Sequence, residues 1–191
     1  MTIRPRLVLF ARYPTPGRAK TRLIPALGAD GAADLHRRLT ERTLATLLST
    51  GFPVELRSTG AAAAAFHNWL GAVAVVPQGR GHLGARMARA ARPPAILIGA
   101  DIPGLTAAHI HAAAALLSHH PVVIGPALDG GYYLIGVSQP APWLFVPMAW
   151  GTDQVFATTL QRCAARGVVP GLLPPLADLD RPEDLGEWSQ L

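Results

Sequence analysis

The run Ala95-Ile96-Leu97-Ile98-Gly99 carries no polar side chain and breaks at once into Ala100-Asp101-Ile102-Pro103-Gly104. Five apolar residues closed by a Pro-Gly turn read as a strand, and a strand apolar at every position needs cover on both faces. The rest of the chain offers that cover. Further strands are expected over 7–11, 53–58 and 72–76, alternating with helices over 31–48, 61–70 and 85–91, and Thr106 can cap a helix running to 118. Strands alternating with helices predict a three-layer, Rossmann-like α/β fold with a mainly parallel sheet, and the 191 residues suffice for one domain over 1–191. After Pro121 the pattern changes: 122–126 and 132–137 read as two strands joined across Gly130-Gly131, a β-rich insert expected to wall the acceptor side. A helix over 152–166 and a last strand over 168–173 precede Asp178-Leu179-Asp180-Arg181-Pro182-Glu183-Asp184-Leu185.

In a sheet of this kind, ligands gather at the strand C-termini. The loop after the first strand, Pro14-Thr15-Pro16-Gly17-Arg18-Ala19-Lys20-Thr21-Arg22-Leu23, holds the only lysine of the chain. Arg18 and Arg22 flank it, and a glycine-bearing loop with three cations and free backbone N–H groups suits a polyphosphate. A solvated loop with a chance lysine is the plain alternative. A Walker A motif is excluded, because Ala19 precedes the lysine and the first glycine is missing.

A literal G-x-G-x-x-G occurs at Gly79-Arg80-Gly81-His82-Leu83-Gly84. It follows the third strand rather than the first, and Arg80 and His82 fill its interior, so a substrate-facing loop presenting Gln78, Arg80 and Arg86 is the better reading than a dinucleotide site. Asp101 closes the best strand and can face a ligand or merely form a turn. Mg²⁺ takes one or two carboxylates and completes its shell with water and phosphate oxygens, so one distant partner would do, Asp178 or Asp180. From spacing alone Asp180 is a cap, since Asp180 with Glu183 has the form of a capping box. Asp129-Gly130-Gly131 reads as a hairpin turn or as a loop whose glycines admit a substrate. The histidines at 109, 111, 119 and 120 lack zinc-site spacing.

Seventeen basic residues against twelve acidic give a net charge of +5, which favours anionic partners. No basic helix or aromatic-basic interleaving argues for nucleic acid, so small anionic ligands are preferred over a non-catalytic anion or nucleic-acid module. The lone Cys163 allows no internal disulfide and reads as packing. No apolar run reaches membrane-spanning length, and a cytoplasmic location is expected.

Phe10-Ala11-Arg12-Tyr13-Pro14 through Gly17-Arg18-Ala19-Lys20-Thr21-Arg22-Leu23, Gly99-Ala100-Asp101-Ile102-Pro103, Gly125-Pro126-Ala127-Leu128-Asp129-Gly130-Gly131-Tyr132-Tyr133-Leu134-Ile135-Gly136 and Trp150-Gly151-Thr152 together resemble one bacterial family. It is the small glycosyltransferase-like family associated by name with arsenosugar biosynthesis, within the nucleotide-diphospho-sugar transferase (GT-A) superfamily. The first loop is also similar to that of the phospholactate guanylyltransferases. The resemblance implies a GT-A domain with nucleotide and phosphates held by Ala11, Gly17, Arg18, Lys20, Arg22, Gln78 and Arg80. It implies Mg²⁺ or Mn²⁺ on Asp101 and Asp180, and an acceptor near Gly130, Gly131, Tyr132 and Trp150. Lys20, Arg22, Asp101 and Asp129 are the implied catalytic groups, Asp129 by orienting or deprotonating an acceptor hydroxyl. Asp101 is followed by Ile102 and Pro103 rather than by the second acid of an Asp-x-Asp. Sugar transfer from a nucleoside diphosphate sugar and nucleotidyl transfer from a triphosphate therefore both stay open.

Overall fold

Leu7 and Leu9 pack into one apolar cluster and Val8 between them into another, so the first strand is covered on both sides as its composition requires. The computed structural model describes residues 3–188. Its strands are β1 (Arg6–Arg12), β2 (Val54–Thr59), β3 (Ala74–Pro77), β4 (Ala95–Gly99), β5 (Val122–Pro126), β6 (Tyr132–Val137) and β7 (Gly171–Leu172). They form a seven-stranded sheet in the order β3-β2-β1-β4-β6-β5-β7, parallel except that β6 runs antiparallel to both neighbours. The helices are α1 (Ile24–Ser49), α2 (Ala63–Leu70), α3 (Leu83–Ala90), α4 (Ala107–Leu116) and α5 (Val155–Ala164). Leu44 and Leu47 of α1, Phe66 of α2 and Ile110 of α4 bury against Leu7, Leu9, Leu56, Ile96 and Ile98. Met87 of α3 and Cys163 of α5 join Val8, Leu97, Ile124 and Ile135 on the other face. Cys163 is thus a packing residue, and burial pushes its thiol pKa up.

Three sequence expectations change. Residues 122–137 are no insert: β6 lies inside the sheet between β4 and β5, because Leu134, Ile135 and Val137 are themselves buried and need cover on both faces. α1 starts about two turns earlier than 31, at Ile24 with Pro25 in its first turn, and bends at Gly28, whose φ of 70° leaves the helical region. The last strand shrinks to Gly171–Leu172, an edge strand. The expected helix cap at Thr106 is present and reciprocated by the His109 ring.

The chain runs from β1 outward to β2 and β3, then returns to place β4 on the other side of β1. This reversal opens a crevice between the C-terminal ends of β1 and β4, where Phe10 lies opposite Gly99. The first loop leaves from one lip and Asp101 from the other.

Candidate active site

The first loop is folded around a lysine in an uncommon backbone state. Lys20 has φ 47° and ψ 44°, and among the described residues it alone is a non-glycine with positive φ. Such a conformation costs on the order of 1–2 kcal/mol and persists only where surroundings fix it. What fixes it lies on both sides. Leu23 is fully buried with Leu35, Leu39 and Leu179, so the loop's end and the chain near 179 share one apolar cluster. The Leu179 amide in turn donates to the Asp101 carbonyl at 2.9 Å, tying that segment to the end of β4. The Lys20 ammonium then points inward, donating to the Leu179 carbonyl at 2.5 Å and meeting Asp101 Oδ1 at 2.7 Å and Asp180 Oδ1 at 3.4 Å. Its three donors are all used. The lysine side chain is 3% exposed, while Asp101 and Asp180 are 48% and 30% exposed and face the crevice.

Of the three cations expected on one polyanion, Arg18 and Lys20 line one cavity while Arg22 lines another, and two of the three pair with carboxylates. Lys20 neutralises two carboxylates, and Arg22 Nη1 donates to Asp180 Oδ2 at 2.6 Å. Arg18 stays exposed on the crevice wall. The physical reason is local: two acids brought together beside a strand end repel unless cations sit between them, and a buried ammonium is tolerable only when so paired. The capping expectation for Asp180 also changes. Asp184 Oδ2 accepts from the amides of Asp180 and Arg181 at 2.9 and 2.7 Å, which leaves the Asp180 carboxylate to Lys20 and Arg22.

Three cavities meet at this carboxylate pair. The first, about 320 Å³, is cationic and is bounded by Ala11, Arg18, Lys20, Gln78, Arg86 and Asp101. Gln78 is buried there and locked: its amide donates to the Arg57 carbonyl at 3.0 Å and the Ala11 carbonyl at 3.4 Å, and its Oε1 accepts from Arg86 at 3.3 Å. Gly17, at φ 76°, turns the loop that forms the cavity's rim. Arg80 is exposed away from the cavity, its carbonyl accepting from Arg89, so the structure does not bring it to the site. Sequence reasoning missed Arg12, Thr59 and His36, which line the same cavity. Arg12 and Thr59 end adjacent strands on the binding edge, which was the available signal; His36 is a buried helix residue whose Nε2 lies 2.9 Å from the Arg12 carbonyl.

The G-x-G-x-x-G glycines have other work. β3 is an edge strand, away from the crevice where a dinucleotide fingerprint would act. A Cβ on Gly84 would lie 2.3 Å from the Phe145 carbonyl and 2.6 Å from the Trp150 ring, so this glycine lets α3 pack beneath Trp150.

The second cavity, about 270 Å³, lies on the other side of Asp101 and is lined by Met87, Gly131, Tyr132, Trp150 and Asp129. The third, about 570 Å³, is acidic: Asp129, Asp153, Asp178, Asp180 and Asp184 face Arg22. Burial raises the Asp178 pKa, and the Asp129 carboxylate adds to the shift. Asp129 stands between the two cavities, its Oδ1 accepting from the Gly131 amide at 2.8 Å. Gly130 was expected against substrate and faces protein instead. Its φ is 86°, and a Cβ there would lie 2.3 Å from the Asp153 carbonyl oxygen, so Gly130 is a packing turn.

Among the described residues no cluster of three or more His, Cys, Asp or Glu is arranged to hold a metal ion. The pair Asp101 and Asp180 nonetheless fits Mg²⁺ or Mn²⁺, which favour hard oxygen donors and complete their shells with water and phosphate. No described helix is long and apolar enough to cross a membrane.

Several solved structures share this architecture. A candidate nucleotide-diphospho-sugar transferase from Desulfovibrio desulfuricans G20 is 30% identical with a TM-score of 0.92, covering 98% of this chain and 87% of its own. The Rv0371c protein of Mycobacterium tuberculosis H37Rv, solved with manganese, is 17% identical at TM-score 0.57, covering 98% of each chain. The 2-C-methyl-D-erythritol 4-phosphate cytidylyltransferase of Thermus thermophilus is 17% identical at TM-score 0.55, covering 97% of each. The last two share the fold. No curated protein matches the sequence. Residues 31–152 match the family described as an uncharacterized protein conserved in bacteria, DUF2064, and the chain belongs to that family, on the Rossmann-like fold of the nucleotide-diphospho-sugar transferases.

Proposed function

We propose that the protein is a metal-dependent transferase that moves a sugar from a nucleoside diphosphate donor to the hydroxyl of a small acceptor. The observation that carries this reading is the Lys20-centred carboxylate pair, with a cationic cavity on one side of Asp101 and a second, acceptor-sized cavity on the other. Arg18, Arg86 and the backbone of the first loop would hold the donor phosphates, and the locked Gln78 with Ala11 would frame the nucleoside. Asp101 and Asp180 would hold the metal, which when bound supplies positive charge to the departing phosphate. Lys20 pairs with both acids and holds them in place, so it acts as a positioning residue. In the transfer, the bond between the sugar's anomeric carbon and the phosphate oxygen breaks and a bond from that carbon to the acceptor oxygen forms. The hydroxyl proton passes to Asp129 and the nucleoside diphosphate leaves.

A second reading, nucleotidyl transfer with release of pyrophosphate, draws support from Arg12, Arg18 and Arg86 around one cavity, enough cationic surface for a third phosphate. Thermal unfolding with Mn²⁺ and panels of nucleoside diphosphate sugars and triphosphates separates the two. A ligand at about a hundred times its Kd adds about 2.7 kcal/mol, a rise of roughly 5–10 °C for a chain of this size. Metal-dependent stabilisation by a diphosphate sugar is the expected result. A response to triphosphates alone favours the second reading, and a metal-independent response to both overturns the metal role.

A further inference from the structure

The second cavity differs in chemistry from its two neighbours. Phe10, Met87, Tyr132, Trp150 and Val155 form its walls, and among the described residues no lysine, arginine or histidine lines it. The charged groups on its walls, among the described residues, are the carboxylates of Asp101 and Asp129; Arg162 lies behind Tyr132 with its guanidinium donating to the carbonyls of Leu144, Val146 and Pro147. Beyond Asp129, the acidic cavity has two arginines on its walls, and both are paired: Arg22 with Asp180 at 2.6 Å and Arg181 with Glu183 at 4.0 Å. A phosphate or carboxylate on the acceptor would thus leave water for a mainly apolar pocket that holds the Asp129 carboxylate, and the nearby Lys20 ammonium is already taken up by Asp101, Asp180 and the Leu179 carbonyl. An apolar body loses nothing by entering. One polar handle stands on the wall. The Tyr132 hydroxyl is directed at Met87 Sδ at 3.9 Å, a weak acceptor that an oxygen of a ligand would better.

Taking the transferase reading as given, we infer that the acceptor is a neutral hydroxyl compound with an apolar, ring-sized body and no phosphate or carboxylate, held between Met87, Tyr132 and Trp150 with its hydroxyl toward Asp101 and Asp129. The arginines of the first cavity serve the donor. This divides the labour of the crevice: anionic donor on the Arg18 side, uncharged acceptor on the Trp150 side.

Saturation-transfer NMR with benzyl alcohol and benzyl phosphate, added separately to the otherwise unliganded protein, tests this without catalysis. Benzyl alcohol should show transfer that is lost in Val155→Trp, which fills the cavity, and weakened several-fold in Tyr132→Phe. Benzyl phosphate should bind this cavity at least about tenfold more weakly. Should Val155→Trp not fold, Thr152→Trp at the exposed mouth of the cavity serves the same purpose. Transfer from benzyl phosphate that equals or exceeds that of the alcohol and disappears in the filled variant overturns the inference, as does the absence of transfer from the alcohol. The nucleotide panel is read separately. A protein that binds benzyl alcohol but no nucleotide keeps a pocket selective for neutral ligands and loses the transferase reading, and one that binds nucleotide but not the alcohol keeps that reading and loses the neutral acceptor.

Discussion

Asp101→Asn should lower turnover by about a thousandfold and remove the Mn²⁺-dependent part of nucleotide stabilisation, while leaving the fold intact. The substitution keeps shape and a hydrogen-bond acceptor, so Lys20 retains a partner. The bond that ties 179 to β4 uses the Asp101 carbonyl and is untouched. With the side chain about half exposed, the lost ion pair is worth less than about 1 kcal/mol. What disappears is the negative charge that the proposed divalent ion would need on this lip of the crevice. Turnover and thermal shifts with and without Mn²⁺ check both halves. Unaltered metal dependence in this variant would remove Asp101 from the metal site.

Lys20→Met should be costly in a different way. The thioether fills much of the same space, but the Leu179 carbonyl loses its donor and two carboxylates face each other across an uncharged side chain. Removing one member of a buried ion pair costs about 3–5 kcal/mol, and the partial exposure of both acids lets water recover some of it, leaving about 2 kcal/mol. In a chain of this size that is a fall in Tm of roughly 4–8 °C. Turnover should fall by about a hundredfold with donor affinity changed much less, because all three donors of the ammonium are committed to the Leu179 carbonyl and the two carboxylates. Mn²⁺ should restore more stability to this variant than to the parent, since a divalent ion replaces the missing charge. Lys20→Arg should not substitute, because a planar guanidinium does not match three oxygens converging on a point. Equal loss of donor affinity and turnover would instead mark Lys20 as a phosphate contact.

The sheet was readable because its strands declare themselves: a run such as 95–99 has no polar side to expose, and helices alternate with it at regular intervals. The crevice followed from the same logic, and the loop with Lys20 and the acid at 101 do lie on its two lips. Sequence order hid which way each side chain turns. Lys20 reads as a cation for phosphate until Leu23 and Leu179 are seen to bury together and bring Asp180 beneath the ammonium. Asp180 reads as a cap until Asp184, one residue beyond the expected partner, takes both amides. Residues 122–137 read as an insert because hairpin strands look alike in sequence wherever they lie in a sheet, and only pairing with β4 assigns β6 to the interior. The glycines at 84 and 130 are fixed by what presses against them, a ring and a backbone from distant segments, which no local pattern encodes. Arg12, Thr59 and His36 come together from three elements for the same reason.

The central claim is that Asp101 and Asp180, held on Lys20, form one metal and phosphate centre at the crevice between β1 and β4. An anomalous difference map from a crystal soaked with Mn²⁺ and a nucleoside diphosphate sugar measures it directly. A single strong peak bonded to oxygens of both carboxylates and of the donor phosphates is expected. A manganese peak bonded to neither acid, with the donor phosphates elsewhere, would contradict it.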